Sequence, residues 1–140
     1  MYQNILIPID AAVESSWRKP LPAAIDHMRH FPAAVLHLVA VVPEVPPQLA
    51  FLPEEYTARM VSLATEKLAA IVQDKVPQDI PARQYIRQGC VFREILKTAA
   101  EVNADLIIMG PHQPEFEDYL LGPNASRVVR HANCSVLIVR

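Results

Sequence analysis

The chain has 140 residues, 51% of them hydrophobic, with 13 lysines and arginines against 15 aspartates and glutamates and a formal net charge of −2. That length makes a single domain, 1–140, large enough to bury a core without disulfides or metals. The near-balanced charge offers no electrostatic footprint for DNA or RNA. No apolar run approaches a membrane span, so neither nucleic acid nor membrane is expected as a partner.

The opening MYQNILIPID enters a strand pattern almost at once. It lacks the basic start, long apolar stretch and cleavage site of a secretory signal. Cys90 and Cys134 are too few for a disulfide framework and do not form a close metal-type pair. A reduced, cytoplasmic setting is expected.

Gln3 to Ile9 reads as a buried first strand, followed at once by Asp10. A first helix is expected over Pro20 to Phe31, with Leu21, Ala24, Ile25 and Met28 on one face. Its prolines are tolerable in a first turn, where the amides are unpaired anyway. Val35 to Val42 is nearly continuous in apolar residues, as in a strand covered on both faces. The proline-rich stretch Pro43 to Pro53 reads as a loop. Glu54 to Val76 then carries Val61, Ala64, Leu68, Ile71 and Val72 at helical spacing. Ala82 to Arg87 is a weaker, more polar strand suited to a sheet edge, and Gly89 breaks it. Val91, Ile95, Leu96, Ala99 and Val102 mark a third helix, and Leu106 to Met109 the next strand.

Gly110 stops that strand abruptly, and a polar loop runs to Gly122, which opens an amphipathic helix before a last strand, Ser135 to Val139. The alternation β-α-β-α-β-α-β-α-β, with short right-handed crossovers, defines an α/β fold: a doubly wound parallel sheet of five strands. A loop between the carboxyl end of a parallel strand and a helix N-terminus is where such folds place phosphate. The first helical amides have no intrahelical acceptors there, and the helix dipole favours negative charge.

Four segments in this order, ILIPID, LHLVAVVP, GCVFREILKTAAEVNADLIIMG and YLLGPNASRVVRHANCSVLIVR, resemble the universal stress protein family over the whole chain. The resemblance implies the sheet order 3-2-1-4-5 and a crevice between the carboxyl ends of the first and fourth strands. Nucleotide-binding members carry a loop of Gly, two residues, Gly, nine residues, Gly, then Ser or Thr. Here Gly110 and Gly122 match the outer glycines, Gln113 stands at the second, and the loop is one residue shorter. The shorter loop is similar to a branch with His-Arg-Pro and Gly-Ser-Asn-Ala; this chain has His112-Gln113-Pro114 and Gly122-Pro123-Asn124-Ala125.

The resemblance implies a regulatory adenine nucleotide, ATP, ADP or AMP, with magnesium accompanying ATP. Asp10 and Leu38 would lie on the adenosine side, with Met109 lining the crevice. Gly110, Gln113, Gly122, Asn124, Ala125 and Ser126 would lie on the phosphates, with the amides of Asn124, Ala125 and Ser126 free to donate. Two departures speak for the alternative, an interaction protein of the same family that binds no nucleotide. Pro123 has no amide hydrogen, and Gln113 supplies no charge where the branch has arginine; Glu115, Glu117 and Asp118 add negative charge to the loop. Each residue also has a bland reading: Asp10 as a loop cap, Leu38 and Met109 as packing.

Nothing nominates a catalytic residue. The five histidines, His27, His30, His37, His112 and His131, are scattered without carboxylate or cysteine at metal-ligand spacing. Cys90 reads as a small cap residue of the third helix, and Cys134 as a buried thiol. No nucleophile elbow, Walker loop or kinase motif is present, and AAVESS after the first strand lacks a flavodoxin-type glycine loop. A dedicated enzyme is not expected. In the implied strand order Ser135 to Arg140 lies at a sheet edge, with Val136, Leu137, Ile138 and Val139 all apolar, so homodimerisation through that strand is expected.

Overall fold

The computed structural model describes residues 1–111 and 121–140. Strands and helices alternate as β1 (Asn4–Pro8), α1 (Pro20–His30), β2 (Val35–Pro43), α2 (Glu55–Lys75), β3 (Ala82–Gly89), α3 (Val91–Glu101), β4 (Leu106–Met109), α4 (Pro123–His131) and β5 (Ser135–Ile138). The sheet has five strands in the order β3-β2-β1-β4-β5, every neighbouring pair parallel. Short 3-10 turns lie at Glu14–Ser16 and at Pro47–Leu49, the second inside the stretch whose sequence reads as loop.

The two-residue period of the strands divides their apolar runs between two cores. Ile5, Ile7, Leu36, Leu38, Ala40, Leu106 and Ile108 face one side, covered by Leu21, Ala24, Ile25 and Met28 of α1 and Leu68 of α2. Leu6, Val39, Ile107 and Met109 face the other, covered by Ile95 and Ala99 of α3 and by Ala125 and Val128 of α4. Runs that look uniformly apolar in sequence are thus two interleaved half-cores, as both-face burial of a parallel sheet requires.

Glycine is required at the end of β3. Gly89 has φ of +138°, a conformation that side-chain-bearing residues rarely adopt, and an added Cβ would lie 3.1 Å from Glu94 Oε1. The chain can therefore turn sharply from β3 into α3. Cys90 occupies the N-cap position of α3, with an exposed thiol that makes no capping bond.

β5 closes the other edge. Val136 and Ile138 pack into the α3–α4 core and Val139 against the α1–α2 core, while Leu137 is 46% exposed. The edge is therefore less apolar outward than its sequence suggests.

His37 is an embedded polar residue, 3% exposed, among these strands. Its Nε2 lies 3.1 Å from Asn4 Oδ1, an acceptor, so Nε2 donates and Nδ1 accepts from the Tyr85 hydroxyl at 2.9 Å. Burial, and after it the Arg83 guanidinium, hold the imidazole pKa below 6.5. The unfolded chain therefore takes up a proton first as pH falls. The neutral ring's share of stability is complete above about pH 6.5 and is lost as pH drops from there through the folded pKa. Urea unfolding midpoints should accordingly fall between about pH 7.5 and 5.5, and His37→Gln should flatten that slope. An unchanged slope in the variant would place the dependence elsewhere.

Candidate functional site

β1 and β4 lie side by side, but the chain leaves them towards opposite faces, from β1 to α1 and from β4 to α4. This is the topological switch point, where the carboxyl ends of the strands leave a gap. A crevice of about 150 Å³ opens there. Val39, Val41, Val91, Ile95 and Met109 make its apolar walls; Asp10, Ser16 and Asn124 bring polar groups to it, and Gly110 and Ala125 line it with little bulk. A mostly apolar cleft with a few convergent polar groups is the usual form of a small-molecule site.

The Asp10 backbone is clamped by Ser16, whose hydroxyl accepts from the Asp10 amide at 2.9 Å and donates to the Asp10 carbonyl at 2.9 Å. The carboxylate is exposed, and its Oδ1 accepts the Ala12 amide at 3.1 Å, an Asx turn. Its other oxygen has no partner among the described residues. The capping role and an outward-facing acceptor thus coexist in one side chain.

At α4, Gly122 is the N-cap and Pro123 the first helical residue, with no side-chain cap. The Gly122 amide donates to the Pro111 carbonyl at 2.7 Å and ties together the two ends of the intervening segment. The Ser126 amide donates to the Gly122 carbonyl at 2.9 Å. This corrects the expectation that Ser126 offers a free donor, because the N-cap carbonyl already accepts from the fourth helical residue. With Pro123 lacking a hydrogen, Asn124 and Ala125 hold the free amides of this turn.

Of the residues expected at the site, Asp10, Met109, Gly110, Asn124 and Ala125 meet at the crevice. Gly122 and Ser126 stand beside it in the α4 turn without lining it. Leu38 is fully buried in the α1–α2 core, on the opposite side of the sheet. Its neighbour Val39 supplies the crevice side chain, and the Val39 carbonyl accepts the Ile9 amide at 2.8 Å. Gln113 lies outside the described residues. The sequence reading missed Val39, Val41, Val91 and Ile95, whose helical or strand periodicity signals core whether they meet a ligand or a neighbour. Gly110 is buried, yet an added Cβ would reach its nearest neighbour, the Ser15 carbonyl oxygen, only at an ordinary 3.5 Å.

Asp10 is the one titratable side chain among these lining residues, so the described residues assemble no nucleophile–base pair at the crevice. Among the described residues no group of three His, Cys, Asp or Glu side chains could hold a metal ion. His27 stacks on Phe31 and His30 Nδ1 donates to the Asp26 carbonyl, both away from the crevice. Cys134, expected to be buried, is half-buried; burial and then Asp105 push its thiol pKa up, away from reactivity. No helix among the described residues is long and apolar enough to cross a membrane.

A parallel 3-2-1-4-5 sheet with an apolar crevice at its switch point defines a doubly wound α/β domain. The chain belongs to the universal stress protein family, whose model matches residues 1–140. It is 30% identical over 146 residues to universal stress protein G of Escherichia coli O157:H7, with all of both chains covered. The fold is similar to that of universal stress protein UspA from Lactobacillus plantarum (TM-score 0.77, 24% identity, 99% of this chain and 98% of that one). It also resembles a universal stress protein solved in complex with cAMP (TM-score 0.63, 21% identity, 99% and 96% covered). A third similar fold is the Archaeoglobus fulgidus universal stress protein in complex with dAMP (TM-score 0.69, 16% identity, 99% and 98% covered).

Proposed function

We propose that this protein binds an adenine nucleotide, ATP, ADP or AMP, at the switch-point crevice, as a regulatory ligand rather than a substrate. The crevice itself carries the reading. Val39, Val41, Val91, Ile95 and Met109 give an open crevice with apolar walls, which suits the flat face of a purine. The free oxygen of Asp10 is placed to accept from a sugar hydroxyl. The Asn124 and Ala125 amides and the dipole of α4 suit a phosphate. Packing alone does not demand glycine at Gly110, which is consistent with a ligand approaching that backbone. Adenine nucleotides bound to two proteins of similar fold agree with this choice of ligand. Calorimetric titration with ATP, with and without magnesium, tests it: saturable heat is expected, and none at millimolar nucleotide would contradict it.

A second reading has its own observation. With the Gly122 amide engaged by the Pro111 carbonyl and Pro123 lacking one, α4 offers fewer donors than a helix N-terminus ordinarily does. An interaction protein without nucleotide would share that feature. Pro123→Ser combined with Gln113→Arg separates the two: affinity created only in the double variant favours the second reading.

The protein is further proposed to form a homodimer through the β5 edge. Leu137 and, on α4, Val129 are 46% and 45% exposed, and an open strand edge invites pairing with a second copy. Because Val136 and Ile138 also serve the core, Leu137→Lys is the cleaner probe. Sedimentation should show a dimeric parent and a largely monomeric variant of unchanged fold. A monomeric parent, or a variant that stays dimeric, would contradict this interface.

A further inference from the structure

Two arginines gather on one aromatic ring, on the helices α3 and α4 that contribute Val91, Ile95, Asn124 and Ala125 to the crevice. Phe92, in the first turn of α3, has the Arg127 guanidinium carbon 5.1 Å and that of Arg93 5.7 Å from its ring centre, with the His131 ring 6.4 Å away. Both arginines are exposed, and among the described residues neither is ion-paired: the salt bridges there are Arg29–Asp26, Lys75–Asp74 and Arg87–Glu101. An aromatic face attracts each guanidinium, and two exposed cations gathered at one ring attract a multiply charged anion.

The position of this cluster connects it to the crevice. On α3, Val91 and Ile95 line the crevice and Phe92 lies between them in sequence. On α4, Asn124 lines the crevice, and Arg127 and His131 follow at i+3 and i+7, along one stripe of the helix. The two helices pack against each other, so their facing stripes lead from the crevice out to the arginines. Among the described residues that line the crevice the one titratable group is Asp10, and Pro123 beside it has no amide.

We infer that Arg127, with Arg93 beside it, binds the anionic end of the ligand whose ring occupies the crevice: the phosphate chain of a nucleoside phosphate. Planar, permanently charged guanidinium forks match phosphate oxygens, and the Phe92 face fixes their orientation. The inference rests on the nucleotide reading above and adds to it the residues that distinguish a nucleotide from a nucleoside.

The test compares adenosine, AMP and ATP by calorimetry on the parent and on the double variant Arg93→Gln, Arg127→Gln, with circular dichroism melting as a check of folding. The parent should bind ATP more tightly than AMP and AMP more tightly than adenosine. In the variant the ratio of ATP to adenosine affinity should fall about tenfold or more, the scale of one lost charge-assisted hydrogen bond. The salt dependence of ATP binding should weaken with it. A variant that keeps the parent's ratio, or a parent that binds adenosine as tightly as ATP, overturns the arginine assignment while leaving the nucleotide reading intact. A parent that binds none of the three overturns both.

Discussion

Replacing Leu68 by alanine is expected to destabilise the protein by about 2–5 kcal/mol, the range for emptying a fully buried leucine site. Leu68 is the one fully buried residue in the 21 residues of α2. It inserts into the core formed by Ile5, Ile7, Leu36 and Leu38, while Ile71 and Val72 pack only partly against that core. The helix thus depends on a single deep anchor, and it covers β2 and the edge strand β3. Against a total stability of about 5–15 kcal/mol for a domain, the loss is a large fraction. Denaturant midpoints would measure it. Hydrogen exchange should show α2 and β3 losing protection before β1 and β4, whose side chains are buried on both faces. A cost below about 1 kcal/mol, well outside the usual range for such a site, would mean that α2 is held by its partly buried flanks.

The second large effect is on binding. Asp10→Ala is expected to weaken adenine nucleotide about ten- to a hundredfold, the scale of a lost hydrogen bond to a charged group. Asp10→Asn should lose less. Its side-chain oxygen can still close the Asx turn on the Ala12 amide, and its amide can donate where the carboxylate accepted. The pair of variants separates two roles. If both lose affinity only in step with a lowered melting temperature, Asp10 acts by shaping the loop. If alanine abolishes binding with little change in melting, its carboxylate meets the ligand.

Where sequence and structure agree, the reason is periodicity or punctuation. The strands and α-helices were legible to within about two residues, because helices show their apolar stripes and Pro20, Gly89, Gly110 and Gly122 mark ends, while the two 3-10 turns were not. The strand order was not in the periodicity; it came with the family resemblance, and the parallel register bears it out. The site was half legible. Asp10 and Met109 came with the family resemblance, and Gly110, Asn124 and Ala125 with a loop that leads into a helix start; all five line the crevice. Leu38 entered through the resemblance for its backbone, and its side chain is core as read; Val39 was not picked out, because a strand buried on both faces has no polar alternation to set its phase. The engaged amides of Gly122 and Ser126 depend on where the helix begins, to the residue, and boundaries are what sequence patterns define least. The Phe92–Arg93–Arg127 cluster joins residues from two helices that have no common signal in sequence.

The central claim is that a nucleotide occupies this particular crevice, and the most direct measurement is an amide-resolved nuclear magnetic resonance titration with ATP. The account predicts saturable shifts concentrated at Asp10, Val39, Val41, Gly110, Asn124 and Ala125, with the backbone of α1 and α2 largely unmoved. Saturable shifts centred instead on the groove between α1 and the end of α2, near Trp17, Arg18 and Lys75, or no shifts at millimolar ATP, would contradict it.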